Sequence, residues 1–161
     1  MARLVSRLED LPVQRLFQYL DENGERHDVH SQDVNDYLQT ITGEDITAKD
    51  FRTWAATQLA AVTLCAFSGY DTKAKAKKQV VEAVKSVAAR LGNTPAVCRK
   101  SYINPCVVDG HLDGTLRAAF QKRAQDVLDM PEHGLSAEEA AVTGFLANRL
   151  PHLRNNGTSK S

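Results

Sequence analysis

The sequence predicts a mainly α-helical protein. Apolar residues recur at helical spacing in several stretches, and capping residues mark where these stretches begin and end. No stretch shows the sustained alternation of apolar and polar residues that a large sheet requires. The chain is long enough for one domain with its own hydrophobic core, in which we expect about seven or eight helices.

The N-terminal part is predicted to contain short helices and a turn. Residues 4–8 and 11–20 are interpreted as two short helices, and Asp-Glu-Asn-Gly at 21–24 as a turn. A connector with some strand character follows at 25–29. A further helix is predicted over 31–41, capped by its first residue, a serine. Its predicted buried stripe consists of Val34, Tyr37, Leu38 and Ile41.

Two long helices are predicted in the middle of the chain. The first runs over 47–67, where Thr47 and Asp50 approximate a capping box, and the second runs over 72–91 and ends at Gly92. Their predicted inner faces are Phe51, Trp54, Ala55, Leu59, Val62 and Ala66 in the first helix, and Val80, Val81, Val84, Val87, Ala88 and Leu91 in the second.

A short segment after these helices is predicted to present a tyrosine. Thr94 can cap a helix whose first position is Pro95, where the missing N–H has no cost. Tyr102 then lies near the end of about two helical turns, close to Arg99 and Lys100. Such basic surroundings suit a phosphate group.

Shorter helices are predicted beyond the tyrosine. Pro105 is expected to end the tyrosine segment, and residues 106–123 are expected to be helical in pieces, broken at 113–114. A helix is predicted over 136–150, capped by its first residue, with two glutamates in its first turn. We expect one helical domain over 1–154, followed by a polar, disordered tail at 155–161.

Composition limits the function classes. Lys plus Arg and Asp plus Glu number 20 each, and this formal neutrality is unusual for a protein that binds duplex DNA. A basic run at 73–85 is the main local exception. The 3 cysteines and 5 histidines are scattered, so no zinc site is expected. No apolar run approaches the ~20 residues of a membrane span, and a cytoplasmic location is the simplest interpretation.

Two motifs carry a resemblance to a known family. They are Thr-Ala-Lys-Asp-Phe-Arg-Thr-Trp at 47–54, and Asn-Thr-Pro at 93–95 followed by Lys-Ser-Tyr at 100–102. Together, and in this order, they resemble the catalytic region of type IB DNA topoisomerases of the bacterial and poxvirus-like branch. The resemblance runs from about Leu8 to about Arg154 and covers only the C-terminal part of the family's protein.

The resemblance implies a function for three residues. Tyr102 would be the nucleophile that forms a 3′-phosphotyrosyl bond, Arg52 would bind the phosphate, and Asn93 would donate a hydrogen bond to a phosphate oxygen. Poxvirus and eukaryotic members have histidine at the position of Asn93. The basic residues expected to contact DNA are Lys49, Arg99 and Lys100. The implied activity is ATP-independent relaxation of supercoiled double-stranded DNA at the bacterial nucleoid, without a metal or other cofactor.

The resemblance also implies groups that this sequence does not contain. The family uses a further arginine and a general-acid lysine that lie upstream, together with an N-terminal DNA-clamping domain. Because a general acid typically contributes about 10²–10⁴-fold to a rate, we expect this chain to be weak or inactive alone. A partner chain that supplies the missing arginine and lysine would restore the site.

Other interpretations stay open at this point. The chain could be a DNA-binding or interaction domain that kept the fold without catalysis. It could also be a fragment of a tyrosine recombinase, although Lys49 stands where the His-x-x-Arg pattern of recombinases requires histidine. Arg52 could simply pair with a carboxylate, and Asn93 could be only a turn residue.

Overall fold

A computed structural model describes the backbone of residues 17–126 and 135–156, and the side chains of 17–122 and 135–149. The chain forms two compact units, Met1–Asp50 and Phe51–Ser161. Among the described residues there are two short strands and seven helices, so the prediction of a mainly α fold is confirmed. They are β1 (Gln18–Leu20), β2 (Arg26–Asp28), α1 (Ser31–Thr42), α2 (Ala48–Ala66), α3 (Lys73–Leu91), α4 (Pro95–Ser101), α5 (Pro105–Leu112), α6 (Thr115–Asp126) and α7 (Ala137–Asn156).

A β-hairpin begins the described part of the first unit. Strands β1 and β2 are antiparallel, and Tyr19 pairs with His27 in the register. The predicted turn is confirmed: Gly24 has φ 78°, and Asp21 Oδ1 accepts the N–H groups of Asn23 at 2.9 Å and Glu25 at 2.8 Å. The predicted helix over 11–20 is wrong at its end, because its last residues pair with β2. Its beginning, and the predicted helix over 4–8, lie outside the described residues.

Helix α1 exposes the stripe that was predicted to be buried. Its N-cap is His30 rather than Ser31, and the His30 N–H donates to the Asp33 carboxylate at 2.6 Å. Three of the four stripe side chains are exposed and the fourth, Leu38, is half-buried; the exposed ones are Val34, Tyr37 and Ile41. The described part of this unit has too few elements to cover an apolar face on every one of them.

Helices α2 and α3 supply much of the core of the second unit. The start of α2 is confirmed: the Thr47 hydroxyl and N–H both donate to the Asp50 carboxylate, at 2.6 and 2.9 Å. These bonds, more than the charge of Lys49, hold the pKa of Asp50 below its ordinary value. Thr72 caps α3 as predicted by accepting the Lys75 N–H at 3.2 Å.

The inner face of α2 differs from the predicted one. Phe51 is 53% exposed, and the buried side chains are mostly small: Ala56, Thr57, Ala60, Ala61 and Leu64. The prediction favoured large apolar side chains and therefore missed the small ones that α2 buries. In α3 most of the predicted face is buried, but Val81 is 45% exposed. The core also takes Cys98, Ile103, Cys106, Val107, Leu116, Val142 and Phe145 from the later helices.

The later helices follow the predicted pattern with one correction. Pro105 does not end the tyrosine segment but is the first residue of α5, and Asn104 caps this helix by accepting the Cys106 N–H at 2.9 Å. The break at 113–114 is confirmed. Helix α7 reaches Asn156, so the predicted tail begins inside it, and residues 157–161 lie outside the described part. None of the described helices is long and apolar enough to cross a membrane.

A buried polar network fixes the loop between α2 and α3. The Gln79 amide donates to Ser68 O at 3.0 Å, and His111 Nε2 lies 3.1 Å from Gln79 Oε1. The Tyr70 hydroxyl donates to His111 O at 2.5 Å. Burial, and to a lesser degree the charge of Arg117, lowers the pKa of His111. The network therefore links the loop to α3 and α5.

Candidate active site

The tyrosine segment is built as the sequence predicts. Gly92 ends α3 with φ 65°, in the left-handed region that favours glycine, and Thr94 then accepts the Val97 N–H at 3.3 Å as the cap of α4. Tyr102 is the C-terminal cap residue of α4, and its N–H donates to Cys98 O at 3.1 Å. Its side chain is half-buried, so one part of the ring packs on the protein and the rest faces solvent.

Arg52 reaches this segment from α2. Its guanidinium carbon lies 5.4 Å from the centroid of the Tyr102 ring, within the range of a cation–π contact. One of its terminal nitrogens, Nη2, donates to the carbonyl oxygen of Leu91 at 2.9 Å. Arg52 itself is exposed, and within the described part of the chain no carboxylate pairs with it. The interpretation of Arg52 as one half of an ion pair is therefore wrong for the described residues.

Asn93 donates to the same oxygen. Its Nδ2 lies 3.3 Å from Leu91 O, and the side chain is half-buried. Leu91 is the last residue of α3, where carbonyl groups lack helical partners and carry partial negative charge. The structure thus brings together Arg52, Asn93 and Tyr102, with two N–H donors converging on one oxygen. Convergent donors of this kind can stabilise negative charge that develops on an oxygen.

Comparison with known proteins shows the family of this chain. The sequence model of the family described as eukaryotic DNA topoisomerase I, catalytic core, matches residues 1–109, which include all three side chains. The chain belongs to this family. It is also similar to DNA topoisomerase 1B of Acanthamoeba polyphaga mimivirus, with 36% identity over 106 residues, which are 62% of this chain and 32% of the relative. The chain thus spans about a third of the length of this curated relative.

The topoisomerase family assignment confirms the predicted identity of the catalytic region. The predicted DNA-contacting residues are distributed over both units. Arg99 and Lys100 are exposed in the last turn of α4, next to Tyr102 in the chain. Lys49 belongs to the first unit. Their contact with DNA stays a prediction, as do the catalytic roles of Tyr102 and its two neighbours.

Sequence reasoning missed Thr57, which lies on α2 further along from Arg52. Its side chain is 2% exposed, and its hydroxyl donates to Tyr102 O at 3.2 Å and accepts the Asn104 N–H at 3.1 Å. The available signal was a hydroxyl residue in the middle of an alanine-rich helix. Such a residue requires a hydrogen-bond partner when it is buried.

One group of three potential metal ligands occurs among residues 17–126 and 135–156, at the hairpin turn of the first unit. Asp21, Glu25 and His27 each offer an atom within 4.8 Å of the others. Asp21 Oδ2 lies 3.0 Å from His27 Nε2, and Oδ1 accepts the turn's N–H groups. The Asp21 carboxylate therefore closes the turn, and these bonds account for its position without a metal ion.

Proposed function

We propose that the second unit carries the strand-cleaving centre of a type IB DNA topoisomerase. In this proposal Tyr102 attacks a phosphodiester of double-stranded DNA, and Arg52 and Asn93 bind the phosphate oxygens. The observation that carries it is the sharing of one acceptor oxygen by Arg52 and Asn93, while the guanidinium lies over the Tyr102 ring. Leu91 O is a neutral acceptor, and an ionised phosphate oxygen forms stronger, charge-assisted bonds with the same donors.

The chemical step proposed for these residues is a transesterification. The Tyr102 oxygen forms a bond to phosphorus as the bond from phosphorus to the 5′ oxygen breaks, and the phenol proton leaves to water or a base. The departing 5′ oxygen takes a proton from a general acid and becomes a hydroxyl. Arg52 and Asn93 stabilise the charge on the non-bridging oxygens during the step. The cleaved strand stays attached through its 3′-phosphate, the duplex rotates, and the reverse reaction reseals the strand without ATP.

The amide of Asn93 affects how phosphate binding depends on pH. A histidine at this position would change its charge near neutral pH, whereas an amide does not titrate. We therefore propose that phosphate binding by Asn93 is independent of pH in the neutral range. The general acid and a second arginine belong to the upstream part of the catalytic domain that the family resemblance implies. This chain or a partner chain supplies that part. The proposed site of action is chromosomal DNA in the cytoplasm, at the nucleoid.

The proposal is tested by covalent trapping. The purified chain is incubated with a duplex that carries a nick near the scissile bond, so that cleavage releases a short strand and cannot be reversed. The reaction is run with and without the upstream part of the catalytic domain of a relative added in trans. We expect a DNA–protein adduct on a denaturing gel, and we expect it to be faster when the upstream part is present.

Two variants control the trapping experiment. Tyr102→Phe removes the nucleophile and should form no adduct. Tyr70→Phe also removes a tyrosine hydroxyl, the one that donates to His111 O, and should keep the adduct because Tyr70 lies in the loop between α2 and α3. Absence of an adduct from the folded wild-type chain with the upstream part present would contradict the proposed activity and leave a non-catalytic DNA-binding domain as the interpretation.

A further inference from the structure

We infer that Thr57 is a positioning residue for the nucleophile, Tyr102. The Thr57 hydroxyl holds Tyr102 in place by binding the backbone on either side of Ile103. This inference rests on the proposed function of Tyr102. The Thr57 hydroxyl binds two backbone groups, the carbonyl of Tyr102 and the N–H of Asn104. One side chain thus fixes both ends of the turn that follows the tyrosine.

The hydroxyl is suited to this function because it is both donor and acceptor. A Thr hydroxyl has one hydrogen to donate and lone pairs to accept, and here the donor goes to Tyr102 O while the acceptor takes the Asn104 N–H. The side chain is 2% exposed, so water does not compete readily for either bond. Loss of the hydroxyl would leave two backbone groups without this partner in a poorly hydrated place.

Helix α4 also constrains the turn. The N–H groups of Tyr102 and Ile103 both donate to Cys98 O at 3.1 Å, and Ile103 is 4% exposed in the core. Asn104 in turn caps α5. Without Thr57 these contacts fix the start of the turn and its central side chain, but among the described residues Thr57 alone donates to the Tyr102 carbonyl. The Thr57 hydroxyl therefore sets the orientation of the Tyr102 peptide.

The backbone contact of Thr57 matters for the proposed reaction because Thr57 and Arg52 lie on the same helix, α2. The same helix presents Arg52 to the Tyr102 ring and Thr57 to the Tyr102 backbone. The distance between nucleophile and phosphate-binding arginine is then determined within one rigid element rather than through several loops. Reaction rates are sensitive to such distances, because a displacement of about 1 Å can cost about 10²-fold.

A set of variants separates positioning from simple stability. Thr57→Val keeps the shape and removes the hydroxyl, Thr57→Ser keeps the hydroxyl, and Thr63→Val makes the same change at a half-buried position of the same helix. We expect Thr57→Val to slow adduct formation by about 10-fold or more, as misplacement of a reacting group predicts. Affinity for an uncleavable duplex should not change. Thr57→Ser should restore the rate to within about 3-fold of wild type, and Thr63→Val should leave it unchanged.

Amide hydrogen exchange gives a readout that does not depend on DNA cleavage. In Thr57→Val the Asn104 N–H loses its acceptor and should exchange at least about 10-fold faster. The Ile103 N–H keeps Cys98 O as its acceptor and should stay protected, which makes it the internal control. If the valine variant does not fold, the same measurements are made on Thr57→Ala, which removes the hydroxyl from a smaller side chain.

The outcomes are distinguishable. A folded Thr57→Val protein with wild-type adduct rate and wild-type exchange at Asn104 would overturn the inference, as would failure of Thr57→Ser to restore a lost rate. No adduct from the wild-type chain, even with the upstream part added, would instead contradict the proposed function. Exchange at Asn104 would then decide whether Thr57 holds the turn.

Discussion

Two arginines of the second unit lie over aromatic rings but bind different acceptors. The guanidinium carbon of Arg52 is 5.4 Å from the Tyr102 ring centroid, and that of Arg149 is 5.7 Å from the Phe145 ring centroid. Arg149 pairs with the Asp113 carboxylate at 2.6 Å and also donates to the Thr115 hydroxyl. Arg52 donates to a neutral backbone carbonyl. Arg149 is thus neutralised by a carboxylate, whereas no carboxylate within 17–122 and 135–149 pairs with Arg52.

This difference shows what separates a structural arginine from one that can bind a phosphate. An ion pair must be broken before Arg149 can take another anion, and it joins α7 to the break between α5 and α6. Arg52 gives up only a hydrogen bond to a carbonyl when an anion arrives, and an anion is the better acceptor. The surrounding charge, rather than the residue type or the aromatic neighbour, makes Arg52 the candidate for catalysis.

Replacement of Arg52 and of Arg149 should give the largest difference in the rate of adduct formation. Arg52→Ala should slow adduct formation by about 10²–10³-fold, the usual cost of removing one donor to a developing oxyanion. Its effect on stability should be within about 0.5 kcal/mol, because the side chain is exposed. Arg149→Ala should leave the rate unchanged. Single-turnover trapping and urea unfolding measure the two effects, and equal rate losses in both variants would remove the distinction between the arginines.

Loss of the amide of Asn93 should have a smaller effect on the rate. A hydrogen bond to a charged group contributes about 1.5–3 kcal/mol, so Asn93→Ala should slow the adduct by about 10–100-fold. Asn148 is a matched control, since its amide also donates to a backbone carbonyl, Gly144 O at 3.0 Å, but in α7. Asn148→Ala should keep the wild-type rate. A wild-type rate in Asn93→Ala would mean that Asn93 only closes the turn after α3.

Two equivalent helix caps extend the comparison to the supporting structure. Thr72 accepts the Lys75 N–H at the start of α3, and Thr94 accepts the Val97 N–H at the start of α4. Each alanine variant should lose about 1 kcal/mol of unfolding free energy, the typical contribution of a threonine cap. Only Thr94→Ala should also slow the adduct, by several-fold, because α4 carries Tyr102. Equal rates in the two variants would show that the start of α4 does not position the tyrosine.

The Arg149–Asp113 pair should contribute least, and its contribution should depend on pH. Burial opposes the shift, but the hydrogen bonds from Arg149 and Thr115 outweigh it and lower the pKa of Asp113. The stability gained is therefore fully present above about pH 4, the ordinary pKa of aspartate, and is lost as pH falls through the lowered value. Arg149→Gln should cost at most about 1 kcal/mol at neutral pH and less in acid. Urea unfolding at several pH values measures this, and a constant difference would contradict it.

Local signals in the sequence predicted much of the second unit. The caps at Thr72 and Thr94, the glycine after α3 and the break at 113–114 depend on residues a few positions apart, so the sequence alone contains them. The three candidate catalytic residues were found through the two motifs. Their shared acceptor, Leu91 O, could not be predicted, since it is a backbone atom that lies 39 residues from Arg52 in the chain.

The sequence predictions were wrong or incomplete where the local structure depends on residues far away in the chain. The stripe of α1 has the correct helical spacing, but a pattern states only which face a helix could bury. The apolar residues of 11–20 have a spacing that suits a short helix, yet residues 18–20 pair with 26–28 and form a strand. Thr57 was overlooked because its partners, Tyr102 and Asn104, lie far along the chain and are backbone groups.

Peptide mapping of the trapped adduct tests the central claim most directly. The chain contains 4 tyrosines, so an adduct on a gel does not by itself identify the nucleophile. Protease digestion and mass spectrometry of the adduct should find the phosphorylated nucleotide on the peptide that contains Tyr102, and Arg52→Ala should reduce its yield. A nucleotide on the peptide of Tyr19, Tyr37 or Tyr70, or no modified tyrosine in a folded chain with the upstream part present, would contradict the account.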